Sequence, residues 1–262
     1  MGELSWLIMI IFGYQKKNHK QIVRTCASAL RQGKVVAYPT DTSYGLAVDS
    51  TNFQAIRRLY KVKQRPFHQP IHIVVPSIAY AKKIVKWNKI ADQLAKKFWP
   101  GPLTLVLPLT LPSPSGHPKN LKEILGETLT SRGEGKGREW KILSGGTNFI
   151  GLRMPENKIA LDLVRYLRAP ITTTSANPPN SLGGYDSYSV KDIIIQFKKK
   201  KFKPDIIINA GRLTKRKPST MVKIAPPTPP FNLRGRMGGV IEILRKGPIS
   251  EKQIKIALKA KH

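Results

Sequence analysis

Apolar residues follow two rhythms along this chain, and the switch between them predicts its elements. Ile22, Val23, Cys26, Ala29 and Leu30 recur at helical spacing between His19 and Arg31, and Gly33 stands where a C-terminal cap falls. A run of β type from Val35 to Tyr38 stops at Pro39 and resumes after Gly45, so residues 34–49 read as strand, polar turn, strand. Proline cannot donate to a sheet ladder, which predicts that the turn's Thr40, Asp41, Thr42 and Ser43 sit at a sheet edge or mouth. Phe53, Ile56, Leu59 and Tyr60 then share one helix face, and Pro66 closes that helix. Strands are expected at 71–75, 103–107, 149–152, 171–174, 206–208 and 240–244. Helices are expected at 78–85, 90–98, near 158–167 and 190–199, and at 250–260. Helix and strand keep alternating, which is the pattern of an α/β layered sheet.

Three stretches break the rhythm. Residues 111–148 open on Pro112, Ser113, Pro114, Ser115 and Gly116, pass through a glycine-rich charged run at 131–137, and hint at a helical turn only near 121–125. A connection of that length is either functional, such as a lid over a site, or an irregular insertion. Pro226, Pro227, Pro229 and Pro230 mark a second irregular loop, at 225–239. At the N-terminus, residues 7–12 are apolar but too few to span a bilayer, and no basic region precedes them. They read as a frayed extension or an edge strand, with Met9 as an alternative start. The resulting division is an N-terminal extension at 1–18 and one domain at 19–262.

Charge narrows the class of ligand. The 262 residues carry 46 Lys and Arg against 15 Asp and Glu, a formal net charge of +31. Such a field draws nucleotides and polyanions, although runs such as 198–201 and 215–217 also read as plain solvated faces. The expectation for RNA or DNA is weak, salt-sensitive, sequence-indifferent binding. A single cysteine, Cys26, excludes an intramolecular disulfide and a cysteine zinc site, in keeping with a reducing, cytoplasmic setting and no membrane partner. There is no GxxxxGK[ST], no GxGxxG and no G-x-S-x-G, and the five histidines lack metal spacing. A bound nucleotide would therefore be held by basic side chains and hydroxyls.

Four islands beside the turn at 40–43 carry such groups. Lys63 and Arg65 flank Gln64 at a helix exit, where alternate residues of an extended segment would project both cations into one cleft; basic residues at a helix C-terminus are also commonplace. Residues 172–179, TTTSANPP, place hydroxyls and an amide after an apolar strand, to meet a ligand or to close a turn on its own backbone. Arg153 ends a buried-looking strand and turns toward a ligand carboxylate or a structural acid. Ser219 and Thr220, with Leu244 to Gly247, complete the set.

In this order the islands resemble the YrdC-like threonylcarbamoyl-AMP synthase family. The matching segments are P-T-D-T-S-Y-G-L at Pro39 to Leu46, K-Q-R-P at Lys63 to Pro66 and P-G-P-L-T at Pro100 to Thr104. They continue with I-G-L-R-M-P at Ile150 to Pro155, S-A-N at Ser175 to Asn177, P-S-T at Pro218 to Thr220 and I-L-R-K-G at Ile243 to Gly247. The resemblance implies an open, twisted α/β sheet of mixed parallel and antiparallel strands with flanking helices and a concave basic site. It implies a nucleotidyltransferase reaction in which L-threonine, bicarbonate and ATP give threonylcarbamoyl-AMP and pyrophosphate for the t6A base at tRNA position 37. Thr42, Arg153, Ser175 and Ser219 then correspond to the threonine site, and Lys63, Arg65, Asn177 and Arg245 to the ATP site, with Lys63 and Arg65 catalytic. No protein-held metal is implied; Mg2+ would travel with ATP, and the product would pass to a threonylcarbamoyl-transferase machinery. A non-catalytic module binding tRNA or double-stranded RNA on the same fold is the alternative, and hydrolysis of a carbamoyl phosphate or related anhydride would share the pocket. Two positions depart from the pattern. The family's strand histidine falls near Val74 while His72 lies two residues early, and Phe149 stands where a hydroxyl often precedes the arginine strand.

Overall fold

The computed structural model describes residues 9–110, 138–226 and 240–259. Among the described residues, ten strands form one sheet. In chain order they are β1 (Ile10–Gly13), β2 (Val36–Pro39), β3 (Tyr44–Ala47), β4 (His72–Val74), β5 (Leu103–Pro108), β6 (Phe149–Arg153), β7 (Ile171–Ser175), β8 (Ile206–Asn209), β9 (Thr220–Ala225) and β10 (Val240–Arg245). In space they run β1-β8-β2-β3-β7-β4-β6-β5-β9-β10. The pairs β1/β8, β8/β2, β4/β6 and β5/β9 are parallel and the others antiparallel. The expected mixed sheet is therefore present.

Because side chains alternate across a strand, each β-segment feeds two cores. One face packs under α2 (Phe53–Lys63), α3 (Ile78–Ile84), α4 (Lys89–Phe98), α5 (Arg138–Leu143), α7 (Val190–Phe197) and α8 (Glu251–Lys259). Leu46, Ile73, Leu105, Leu152, Ile207 and Val222 point into that layer. The other face is covered by α1 (His19–Arg31) and α6 (Lys158–Leu167), which bury Val36, Tyr38, Ala47, Val74, Ile171 and Ile208. This second core takes no residue from β5, β6, β9 or β10. Among the described residues, half of one sheet face thus has no helix over it.

Some sequence expectations hold, such as the turn at a mouth and the N-terminal edge strand, and others change. The hairpin β2–β3 lies in the middle of the sheet, between β8 and β7, and only its turn reaches a mouth. Residues 10–13 are an edge strand beside β8, so the chain before α1 contributes to the sheet. Residues 138–143, expected inside an irregular loop, form α5, whose Trp140 and Leu143 are buried in the first core. Tyr60 Oη donates to the carbonyls of Gln69 (2.8 Å) and Ile142 (3.1 Å) and so fixes α5 against the exit of α2. The six residues of α5 are too few to show a helical repeat. β9 also went unpredicted, because Pro218 and Pro226 frame it as loop; yet Thr220, Val222 and Ile224 are buried and alternate with Met221 and Lys223. Of the stretch 111–148 read as a lid or an irregular insertion, residues 111–137 lie outside the described residues. Among the described residues no helix is long and apolar enough to cross a membrane.

Candidate active site

The uncovered half of the sheet face forms the floor of the site, and the ladders show which residues share it. His72 pairs with Thr173, Val74 with Arg153, Arg153 with Thr104, and Thr104 with Met221, which pairs with Arg245 across a β-bulge. Residues directly opposite share a face, as do residues two apart on a strand. His72, Gly151, Arg153, Thr104, Met221, Lys223 and Arg245 therefore line one surface. Gly151 has no side chain because His72 lies over it: a Cβ there would stand 2.4 Å from the imidazole Cδ2. His72 belongs to the site two residues away from the family position, and Val74 is buried beneath α1 and α6. Phe149, where a hydroxyl was expected, lies under Lys223 at 4.8 Å from Nζ to ring centroid.

Three arginines lie near enough to His72 for their charges to act on it. Burial first, then Arg245, Arg65 and Arg153, push its imidazolium down to about 3, so the ring is neutral at working pH. Burial also lowers Arg65 and Arg245, and Arg153 adds to the effect on Arg245. Two buried guanidinium nitrogens, Nε of Arg65 and Nε of Arg153, have no hydrogen-bond partner among the described residues. Buried donors are rarely left unpaired, and a guanidinium pairs best with a planar oxyanion.

Lys63 behaves otherwise, which corrects the expectation of two cations projecting together from an extended segment. It is the last residue of α2, with Gln64 as a left-handed cap at φ 50°. That cap turns Arg65 toward the floor while Lys63 stays buried at 4% exposure. Its ammonium donates to Ser175 O (2.7 Å), Asn177 O (2.5 Å) and Asn177 Oδ1 (3.2 Å). An ammonium has three donors, and all three are used. Asn177 is likewise turned inward, its Nδ2 donating to Pro178 O at 2.7 Å. Lys63 and Asn177 are thus the frame of the S-A-N turn, and Ser175 is held at its mouth.

The hydroxyls form two knots. Thr40 Oγ1 accepts from the backbone of Thr42 (3.1 Å) and Ser43 (3.3 Å) and donates to Ser43 O (2.7 Å), with Thr42 Oγ1 at 3.1 Å. This closed turn presents Asp41 to Arg153 Nη2 and to the backbone N–H of Glu156 (3.4 Å). Of the two readings for Arg153, the structural acid is the one observed. Ser219 Oγ stands 2.8 Å from Thr104 Oγ1 and accepts from Arg245 Nη2 at 3.0 Å, while Arg245 Nε donates to Ser219 O at 2.9 Å. Of the eight expected site residues, Arg153 and Arg245 line the floor, Ser219 is bonded to Arg245, Arg65 is near enough for its charge to act on His72, Thr42 stands in the turn that holds Asp41 to Arg153, and Lys63, Ser175 and Asn177 make up the adjoining turn. Sequence reasoning missed Thr104, Asp41 as a partner, and Asp186, whose charge acts on both Lys63 and Arg245. Thr104 and Asp41 lay inside quoted motifs; Asp186 had no local signal.

A family model described as "Telomere recombination" (Sua5_yciO_yrdC) matches residues 28–235. The chain belongs to the Sua5/YciO/YrdC family. Within the family it is similar to "Threonylcarbamoyl-AMP synthase" of Pyrococcus abyssi, 32% identical over 169 residues, 64% of this chain and 42% of that protein. It is also similar to "Putative threonylcarbamoyl-AMP synthase" of Methanocaldococcus jannaschii, 28% identical over 217 residues, 83% of this chain and 87% of that protein. The solved structure of P. abyssi Sua5 complexed with L-threonine superposes with a TM-score of 0.70 at 27% identity, covering 96% of this chain and 61% of that one. The chain thus spans about two-fifths of the curated P. abyssi relative.

Proposed function

We propose that this chain is an L-threonylcarbamoyladenylate synthase, joining L-threonine, bicarbonate and ATP into threonylcarbamoyl-AMP with release of pyrophosphate and water. The observation that carries the reading is the floor itself: Arg65, Arg153 and Arg245 converge on a neutral His72, and two buried Nε donors lack an acceptor. A threonine carboxylate and a triphosphate supply such acceptors, and the P. abyssi structure named for its threonine complex shares the fold. A bare RNA-binding face needs no closed network of Lys63, Ser175 and Asn177 beside it.

The work of the site follows from its groups. Arg153, with the Ser219 and Thr42 hydroxyls, receives threonine and its carbamate, and the buried floor limits the water that would discharge that unstable anion. Arg65 and Arg245 face the phosphates and stabilise charge that grows on phosphoryl oxygens as the carbamate oxygen displaces pyrophosphate at the α-phosphorus. No side-chain nucleophile is required; alignment of two bound anions is the main demand. Mg2+ would accompany the triphosphate as part of the substrate and would offset its charge. The adenylate would then serve tRNA t6A formation through a separate transferase.

The deciding measurement incubates the pure protein with ATP, bicarbonate and labelled threonine. Pyrophosphate that requires threonine supports the synthase, and ATP hydrolysis indifferent to threonine overturns it. Within that assay Arg65→Ala is expected to lower kcat/KM by about 10²- to 10³-fold while changing stability by less than about 1 kcal/mol. Its Nε has no protein partner, so truncation orphans nothing there. Activity lost only in proportion to unfolding would remove Arg65 from the site. Lys201→Ala, in the solvated run at 198–201, is the control and leaves both quantities unchanged.

A further inference from the structure

We propose that Asp41 is a positioning residue for the amino-acid substrate: its carboxylate holds Arg153 in place, so that the remaining guanidinium donors are presented to the substrate carboxylate. The inference deepens the synthase reading and rests on threonine being the amino acid bound. Its basis is geometric. The Asp41 and Arg153 side chains are 3% and 8% exposed and joined through Oδ1 and Nη2. Oδ2 takes the Glu156 backbone N–H, so both carboxylate oxygens are engaged and the acid cannot swing away freely. The Thr40 hydroxyl knot fixes the backbone on either side of Asp41.

Charge gives the arrangement its purpose. Arg153 shares the floor with Arg65 and Arg245, and like charges there repel. A carboxylate behind Arg153 offsets that repulsion and sets the plane of the guanidinium. A guanidinium has five N–H donors, and Asp41 draws on Nη2 alone, leaving Nε buried and unmet. An arginine held from one side and unsatisfied on another suits a planar, two-oxygen ligand such as a carboxylate. Asp41 touches no substrate in this scheme; it acts through Arg153.

The test compares wild type with Asp41→Asn and Asp41→Glu. Isothermal titration reads threonine and ATP affinity, and the side-chain 15Nε–H resonance of Arg153, assigned with Arg153→Lys, reads how firmly the guanidinium is held. Asp41→Asn is expected to weaken threonine about tenfold or more, leave ATP within about twofold, and broaden the Arg153 resonance. Asp41→Glu keeps the charge and is expected to recover most of the threonine affinity, with a sharp but shifted Arg153 signal. Should Asp41→Asn fail to fold, Asp41→Glu decides: a shifted Arg153 signal with a roughly two- to fivefold loss of threonine affinity and unchanged ATP affinity supports the role. Threonine affinity and Arg153 signal both as in wild type overturn it, and so does a parallel fall of threonine affinity, ATP affinity and Tm that Glu does not repair. If wild type takes up no threonine, the synthase reading fails, and the Arg153 signal alone still decides whether Asp41 holds the guanidinium.

Discussion

Replacing Lys63 with methionine is expected to destabilise the protein by about 3 kcal/mol and to lower turnover by about 10³-fold, a coupled loss that sets it apart from Arg65→Ala. The ammonium satisfies two backbone carbonyls and the Asn177 amide oxygen in a buried turn. Methionine fills the volume but leaves those three oxygens without a donor, each at the cost of a buried unpaired polar group. The turn they belong to carries Ser175, so its relaxation moves a hydroxyl of the site. The same lysine has a signature in pH. Burial, then Arg65, push the Lys63 ammonium down from 10.5 to about 7. Between those values the unfolded chain binds the proton and the folded chain releases it. This group therefore adds stability as pH rises through that window, by at most ~1.4 kcal/mol per pH unit. Urea unfolding of both proteins at pH 7 and at pH 10 checks this: the stability gap between wild type and Lys63→Met widens at the higher pH. A variant as stable as wild type, with activity alone lost, would return Lys63 to direct phosphate contact.

The sequence announced the elements better than the contacts, and the reason is physical. α1 and α2 run over the residues their apolar spacing indicates, and the hairpin follows from Pro39, Gly45 and the runs around them. Such signals are local. The contacts that define the site join Lys63 to residues 112 and 114 positions away and Asp41 to Arg153 across 112 positions. Spacing along the chain says that Lys63 and Arg65 are neighbours; it does not say that a left-handed Gln64 separates a buried tether from a site-facing cation. Family motifs did better, because an ordered set of short segments records which residues a fold brings together. Even so, the motif P-T-D-T-S-Y-G-L marks Asp41 without telling that its partner is Arg153.

Gly247 is a glycine beside the site where a single methyl group is expected to cost heavily. It follows Arg245 by two positions, and a Cβ there would stand 2.3 Å from Pro218 O, 2.4 Å from Thr220 N and 2.7 Å from Ser219 C. All three are backbone atoms, so no side-chain rotation relieves the contact. The two segments cannot slide apart cheaply either. Thr220 Oγ1 donates to Ile249 O at 2.8 Å and accepts from Ile249 N at 2.9 Å, and Thr220 N donates to Pro102 O at 2.9 Å. Gly247→Ala must therefore break part of this lacing or push the 218–220 segment away. Either response displaces Ser219 from Thr104 and from Arg245, which hold its hydroxyl at 2.8 and 3.0 Å. The expected cost is about 3 kcal/mol of stability, with a loss of about 10²-fold in threonine-dependent pyrophosphate release from the protein that remains folded. Gly13→Ala is the matched control, since a Cβ at Gly13 meets nothing within 4 Å. Chemical denaturation and single-turnover assays on both variants separate the two effects. Equal stability of Gly247→Ala and Gly13→Ala would mean that Pro218 to Thr220 yields without cost, and wild-type turnover in Gly247→Ala would mean that Ser219 and Arg245 need not be held where they stand.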